Sequence, residues 1–340
     1  MKLLLLGGTR FLGRHLAEQA LARGDEVTLV HRGRSAGRGL LPGAEHLVGD
    51  RDHDLPALLG PARRWDVAID TSAYLPRQVS GTAALLAGRV GQYQLVSSIS
   101  AYASNPPEGN DEGSPRAVLD DPATETIDGS TYGGLKALCE DAAVAEPAGF
   151  GAARTLVVRP GLIVGPFDPT GRFSWWVQRL QRGGEVLAPG DPAAPVQFID
   201  ARDLAAWMLA QADAGTAGAF NLTGPTSGLG FGAFLQAALA TLAPPATRLV
   251  WVDEAAVLAA GVAPWADLPV WLSTPDQGLH RTRIDRAMAT GLRTRPLADT
   301  LRDTAAWLAD APAVAPGRPA VGLSPEREAA LLAGAAPGPR

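Results

Sequence analysis

An apolar run, Lys2–Leu6, passes directly into Gly7-Gly8-Thr9-Arg10-Phe11-Leu12-Gly13, and a helix-forming stretch follows at once. A buried strand, a glycine turn and a helix in that order admit few folds, because the turn must reverse the chain tightly against a parallel sheet. Gly7 allows the tight turn and Gly13 lets the helix pack close to the strand. The helix start also offers unpaired N–H groups and the positive end of its dipole to a phosphate. Arg14–Arg23 reads as the first crossover helix, with Leu16 and Ala20 at helical spacing and Gly24 as its stop.

The rest of the first half repeats this alternation. Strands are expected at Lys2–Leu6, Glu26–Val30, Glu45–Val48, Asp66–Asp70, Tyr93–Ser97 and Thr155–Val158, several of them continuously apolar as strands buried on both faces are. Gln197–Ile199 and Ala219–Leu222 each add a short candidate. The fold class is therefore α/β, a Rossmann-type doubly wound parallel sheet. Residues 1–165 form the nucleotide-binding domain, with 196–223 returning to it. Beyond Pro160, glycines, prolines and tryptophans multiply, and residues 166–195 and 224–309 read as a smaller C-terminal substrate lobe. Residues 310–340, rich in Ala, Pro and Gly, read as a flexible tail. Within it, Ser324-Pro325-Glu326 suits the start of a short helix ending near Ala333.

Bulk properties narrow the function. A formal charge of −5 argues against a general nucleic-acid binder. One cysteine, Cys139, permits no internal disulfide and fits a reducing, cytoplasmic setting. The leucines at 3–6 are too few for the apolar core of a signal peptide, and no run is long enough to span a bilayer. The five histidines show no metal-ligand spacing, so no metal is expected. The expected partner is a small-molecule substrate, with a homodimer possible through the helices flanking the sheet.

Two positions carry the chemistry. Tyr132 and Lys136 stand four residues apart, one turn of a helix, and face the same way. A phenol with its usual pKa near 10 is a poor proton carrier at neutral pH, and a neighbouring ammonium favours its ionised form. A serine delivered by the strand ending Gln94-Leu95-Val96-Ser97-Ser98 would polarise a substrate oxygen; Ser98 is the first choice, with Ser97 and Ser100 as neighbours open to confusion with it. The cofactor is placed on the glycine turn, with Gly7, Thr9, Arg10, Phe11, Leu12 and Gly13 as candidate cofactor-binding residues. Where a carboxylate would hold the 2′-hydroxyl of NAD, the second strand ends in His31-Arg32-Gly33-Arg34. Arg32, joined by Arg10, suits a 2′-phosphate instead, so NADP(H) is favoured over NAD(H). Asp50 and Arg51 would sit near the adenine edge, and Thr71, Ser72 and Ala73 beside the ribose and nicotinamide, with Lys136 and Pro160 completing the set. The segments around Asp50 and Thr71 equally fit ordinary strand-end turns. Trp175, Trp176 and Arg172 are candidate substrate contacts beside Ser98 and Tyr132, although large aromatics more often fill a core.

These residues together bring a family into view. The chain resembles the extended short-chain dehydrogenase/reductase superfamily, the NAD-dependent epimerase/dehydratase family, from Met1 to about Ala309, and most of all its bacterial reductase-like members. The resemblance rests on Gly7–Gly13, Ser98 with Tyr102, Tyr132 with Lys136, Arg159-Pro160-Gly161 leading to Gly165-Pro166, and Phe198-Ile199-Asp200-Ala201-Arg202-Asp203. It implies Tyr132 as acid/base, Lys136 as its activator and ribose anchor, and Ser98 as polariser. Two departures stand out. Arg10 replaces the usual middle glycine of the turn, and Ile99-Ser100 stand where sugar-nucleotide dehydratases carry an Asp-Glu pair, which disfavours dehydration. Three functions remain in order: an NADP(H)-dependent reductase or dehydrogenase, a sugar-nucleotide epimerase retaining its cofactor, and a non-catalytic nucleic-acid-binding or regulatory protein on the same fold.

Overall fold

The computed structural model describes residues 1–34, 41–310 and 321–334. Its strands are β1 (Lys2–Leu6), β2 (Glu26–His31), β3 (Glu45–Val48), β4 (Trp65–Asp70), β5 (Val90–Val96), β6 (Thr155–Pro160), β7 (Ile163–Val164), β8 (Glu185–Pro189), β9 (Ile199–Asp200), β10 (Gly218–Leu222) and β11 (Arg248–Val252). The helices are α1 (Phe11–Ala22), α2 (Leu55–Leu59), α3 (Pro76–Leu86), α4 (Tyr132–Val144), α5 (Arg172–Arg182) and α6 (Ala201–Ala214), followed by α7 (Phe231–Leu242), α8 (Glu254–Ala259), α9 (Asp285–Ala289), α10 (Leu297–Asp310) and α11 (Pro325–Gly334).

Seven strands form one parallel sheet in the order β10-β6-β5-β4-β1-β2-β3. The order reverses at β1, so the carboxyl ends of β1 and β4 diverge into a crevice, the usual ligand position of such sheets. The sheet is buried on both faces. Leu3, Leu5 and Leu29 pack under α1 and α6, whereas Leu4, Leu6 and Tyr93 pack under α2, α3 and α4. This two-sided burial is the reason the strands read as unbroken apolar runs rather than alternating ones. Ala219–Leu222 joins the main sheet as β10, whereas the strand expected near the sheet at Gln197–Ile199 is shifted to Ile199–Asp200. The structure gives a two-residue β9 that pairs with β7 outside the main sheet.

A separate core fills the C-terminal lobe, built on Phe173, Trp176, Phe231, Phe234 and Trp271 around the β8–β11 pair. Ile284, Ala287 and Leu292 leave it and pack with the sheet's first core, so the chain returns to the nucleotide-binding domain a second time. Asp200 caps α6 through Arg202 N, accepts from Thr300 Oγ1 and pairs with Arg202, while Asp203 pairs with Arg295, fastening α6 to the lobe.

The expected tail contains a docked helix, α11. Residues 321–334 are docked on the lobe, because Leu323 is buried and the Glu328 carboxylate is held by Arg179, Arg182 and the Leu187 N–H. A buried carboxylate with a guanidinium partner ties a helix down far more firmly than its composition suggests. Residues 311–320 and 335–340 lie outside the described residues.

His280 makes the lobe sensitive to acid. Its Nδ1 accepts from Gln197 N at 3.1 Å and its Nε2 donates to Val270 O at 2.9 Å, which fixes the neutral ring. Burial drives its pKa from the usual 6.5 to about 4. The unfolded chain takes up a proton as pH falls through 6.5 and the folded chain does not, so stability present above that pH is lost on the way down to about 4. We expect the stability advantage of wild type over H280Q to shrink by roughly 2–3 kcal/mol between pH 7.5 and 4.5, measured by urea unfolding at each pH. A constant difference would mean that His280 titrates normally.

Candidate active site

A single open cavity of about 1530 Å³ runs along the carboxyl ends of the strands, from the β2 end to the start of the lobe. At its floor the glycine turn closes on itself: a Cβ at Gly13 would lie 2.2 Å from Gly7 O, so no other residue fits there. Thr71 and Ser72 line this floor, and their hydroxyls donate to Leu6 O at 3.1 and 3.2 Å, bracing the turn from β4.

At one end Arg10, Arg32 and Arg34 border the cavity. None of the three makes an ion pair or side-chain hydrogen bond among the described residues. The backbone beneath them is set by a directed chain. Gly33 N donates to His31 Nδ1, His31 Nε2 meets His46 Nδ1 at 2.9 Å, and His46 Nε2 meets Leu41 O. His31 must be neutral for this chain to exist, and burial and the neighbouring His46 lower its pKa accordingly. Asp50 also lines the cavity, with Oδ1 accepting from Asp52 N. Arg51 lines it too, but its guanidinium is committed elsewhere, forming a two-pronged pair with the fully buried Asp70 at 2.7 Å and donating to Ser72, Gln78 O and Thr82. Tyr93 donates to the same Asp70. Arg51 thus fixes the end of β4.

At the other end α4 presents Tyr132 and Lys136 on one face, as their spacing requires. Lys136 Nζ is buried and donates to Ala73 O at 2.7 Å and Val96 O at 2.8 Å. Ala73 is therefore behind the lysine rather than on the cavity wall. Tyr74 follows it into the opening, its ring 6.3 Å from that of Tyr132 and 5.0 Å from Lys136 Nζ. Sequence reasoning passed over Tyr74, although its place just past a strand end was a usable signal.

The three serines separate by partner. Ser97 donates to the buried Glu140 carboxylate, which is itself paired with Arg159. Ser98 caps the short helical turn after β5 by accepting from Ser100 N, and its hydroxyl hydrogen-bonds Tyr132. Ser100 is exposed. A close approach of backbones produces this geometry: a Cβ on Gly133 would lie 2.2 Å from Ser100 O, so the glycine after Tyr132 lets α4 press against the turn that carries Ser98.

The expected effect of Lys136 on the phenol is not what the structure shows. Burial, with Tyr74 adding to it, pushes Tyr132 up to about 12, and the Ser98 hydrogen bond only partly offsets this. Lys136 Nζ stands 6.0 Å from the Tyr132 ring centre and spends two of its three donors on carbonyls. Burial lowers the Lys136 pKa in turn. The resting phenol is therefore protonated across the neutral range. Cys139, one turn beyond on α4, is buried, with its thiol also pushed up to about 12 by burial. That makes it an inert packing residue.

Pro160 and Arg172 line the lobe end of the cavity, together with Trp265 and the 117–119 and 127–130 segments. Trp175 and Trp176 do not. Trp176 is fully buried in the lobe core, and Trp175 packs edge-on against it at 4.7 Å. The paired tryptophans serve packing, and the tryptophan at the opening is Trp265, whose place no local sequence signal announces. Among the described residues no cluster of His, Cys, Asp or Glu could hold a metal, and no helix is long and apolar enough to cross a membrane.

The architecture is a Rossmann-like α/β fold built on a seven-stranded parallel sheet, shared with solved nicotinamide-bound structures. Similar solved structures include WbmH of Bordetella bronchiseptica in complex with NAD+ (20% identity, TM-score 0.64, covering 91% of this chain and 98% of that one). UDP-glucuronic acid 4-epimerase of Bacillus cereus in complex with NAD is 14% identical, with TM-score 0.65 and coverage of 93% and 99%. Human epimerase family protein SDR39U1 with NADPH is 23% identical, with TM-score 0.58 and coverage of 90% and 99%. Residues 68–223 match the model of the NAD dependent epimerase/dehydratase family. Chloroplast stem-loop binding protein of 41 kDa b from Arabidopsis thaliana is 26% identical over 221 residues, 61% of this chain and 54% of that protein. The matched stretch thus spans about half the length of this relative.

The polar support behind the site is testable. Glu140 on α4 and Arg159 on β6 form a buried pair at 2.7 Å, and Arg159 Nη1 donates to Tyr102, which donates to Asn221 at 2.6 Å. Removing Arg159 leaves the buried Glu140 with only Ser97 and the longer Arg116 contact at 3.4 Å. R159M is expected to lower unfolding free energy by roughly 3–5 kcal/mol, and the double variant E140Q/R159M to recover part of that loss. A loss below about 1 kcal/mol in R159M would put the pair in a solvated setting.

Proposed function

We propose that this chain is an NADP(H)-dependent oxidoreductase that moves a hydride to or from the carbonyl or alcohol carbon of a small molecule. One observation carries the reading: the same cavity has Arg10, Arg32 and Arg34, which form no ion pair among the described residues, at its β2 end and Ser98, Tyr132 and Lys136 at its other end. The cradle fits such a cofactor. The glycine turn admits no side chain at Gly13, the α1 N-terminus faces the cavity, and Arg10, Arg32 and Arg34 have charge to give a 2′-phosphate. When bound, the nicotinamide supplies or accepts the hydride.

The chain's own residues handle the oxygen and the proton. Ser98 donates a hydrogen bond to the substrate oxygen and polarises the carbonyl. Tyr132, held protonated, gives its proton to that oxygen as alkoxide character builds, so carbonyl, hydride and proton yield the alcohol. Lys136, anchored on Ala73 O and Val96 O, keeps one N–H for a ribose hydroxyl, and its charge stabilises the phenolate left behind. The high pKa of Tyr132 suits the reducing direction at neutral pH; alcohol oxidation needs the phenolate and gains with rising pH. Y132F is expected to abolish turnover while NADPH affinity stays within a few-fold, read by steady-state kinetics and nicotinamide fluorescence. Undiminished turnover would remove Tyr132 from the mechanism.

A second reading, sugar-nucleotide epimerisation with a retained cofactor, is favoured by the likeness to UDP-glucuronic acid 4-epimerase. The stem-loop-binding relative supports a third, binding without catalysis, against which the acidic balance of the chain weighs. Titrating cofactor-free protein with NADPH and NADH separates them. NADPH should bind at least tenfold more tightly, and R10A/R32A should weaken NADPH by about tenfold or more with little effect on NADH. A preference for NADH, or a nicotinamide that cannot be stripped off, favours the epimerase. Binding of neither favours the non-catalytic reading.

A further inference from the structure

The substrate end of the cavity holds one charge that forms no ion pair among the described residues. Arg172, the first residue of α5, lines the cavity and is only half-exposed. Its guanidinium lies over the Trp265 ring at 5.3 Å from the centroid. It makes no ion pair and no side-chain hydrogen bond among the described residues; only its backbone N–H is bonded, to Thr170 Oγ1. Every other described arginine that is shielded from solvent is matched. Arg51, Arg159, Arg179, Arg202 and Arg295 each hold a carboxylate, and Arg89 is bonded to three carbonyls. The nearest acid, Asp168, pulls on Arg172 through space while accepting from Thr170 N and Oγ1. A shielded guanidinium without a partner is costly, and burial accordingly disfavours its charged form here.

Its platform is built, not incidental. Trp265 takes a left-handed backbone, φ 65°, which a bulky residue adopts only when its surroundings impose it. Trp265 N donates to Trp271 O at 3.0 Å, and the buried His280 ring stands 6.0 Å away. That backbone seats the indole against the guanidinium, and both residues line the cavity.

Resting on the oxidoreductase reading, we propose that the substrate carries an oxyanion group, a carboxylate or a phosphate ester, which Arg172 grips from its seat on Trp265 while the reacting carbonyl lies at Ser98 and Tyr132. The apolar wall between, Leu162, Ile163 and Val118, takes the carbon frame that joins the two groups. Arg172 is then the residue that sets specificity, because a neutral analogue would leave the guanidinium shielded and unpaired.

The test uses the full chain and calorimetric titration, with and without saturating NADP+. The probes are 4-(hydroxymethyl)benzoate, 4-(hydroxymethyl)phenyl phosphate and neutral methyl 4-(hydroxymethyl)benzoate. One of the two anions is expected to bind at least tenfold more tightly than the ester, and the better anion tells carboxylate from phosphate. R172M should lose that preference and R172K keep part of it, with circular dichroism confirming that both fold. An ester bound as tightly as the anions, a preference that survives R172M, or binding of none of the three would overturn the proposal. Anion binding lost in R172M, but with no NADPH oxidation on any carbonyl tried, would uphold the clamp and sink the oxidoreductase reading instead.

Discussion

The buried ammonium of Lys136 is the contact on which the site's geometry turns. It bridges Ala73 O beyond β4 and Val96 O at the end of β5, so one side chain of α4 spans two strand ends of the sheet. Carbonyls at strand ends have no ladder partner, and an ammonium between them satisfies both while fixing the helix that bears it. Tyr132, one turn earlier, is positioned as a consequence, and so is its hydrogen bond to Ser98.

Around that contact the molecule places its charges in matched pairs and then breaks the rule along one cavity. Arg51 answers Asp70, Arg159 answers Glu140 and Arg179 answers Glu328, each pair nearly out of solvent. Such pairs contribute modestly to net stability but fix one arrangement, because a displaced partner strands a charge. Among the described residues, Arg10, Arg32 and Arg34 at one end and Arg172 at the other form no ion pair. The cavity therefore carries a positive character that the overall charge of −5 conceals.

The sheet was legible because a strand buried on both faces has no choice but to be apolar throughout, and the glycine turn marked where it begins. β1 and β3 begin and end where the sequence pattern puts them, and β2, β4 and β6 do so to within a residue or two. β5 starts earlier than the apolar run suggests, because the ladder to Trp65 and Val67 extends it over Val90-Gly91-Gln92. Gln197–Ile199 misled for the opposite reason: its apolar character belongs to a two-residue pairing with β7. The tail misled by composition, because a single buried carboxylate, Glu328, outweighs the Ala and Gly around it.

By itself the sequence determined what local chemistry dictates: a parallel α/β sheet, a phosphate-sized turn after β1, a basic end to β2, and a phenol and an amine on one helical face. Only the tertiary structure decided which of three adjacent serines meets Tyr132, that Arg51 turns inward to Asp70, and that Trp265 rather than Trp175 or Trp176 stands at the opening. It also set the protonated state of Tyr132, which burial governs more than the lysine in its motif. The reason is common to all of these. Burial and partner choice depend on which distant segments arrive at the same place, and spacing along the chain carries no record of that.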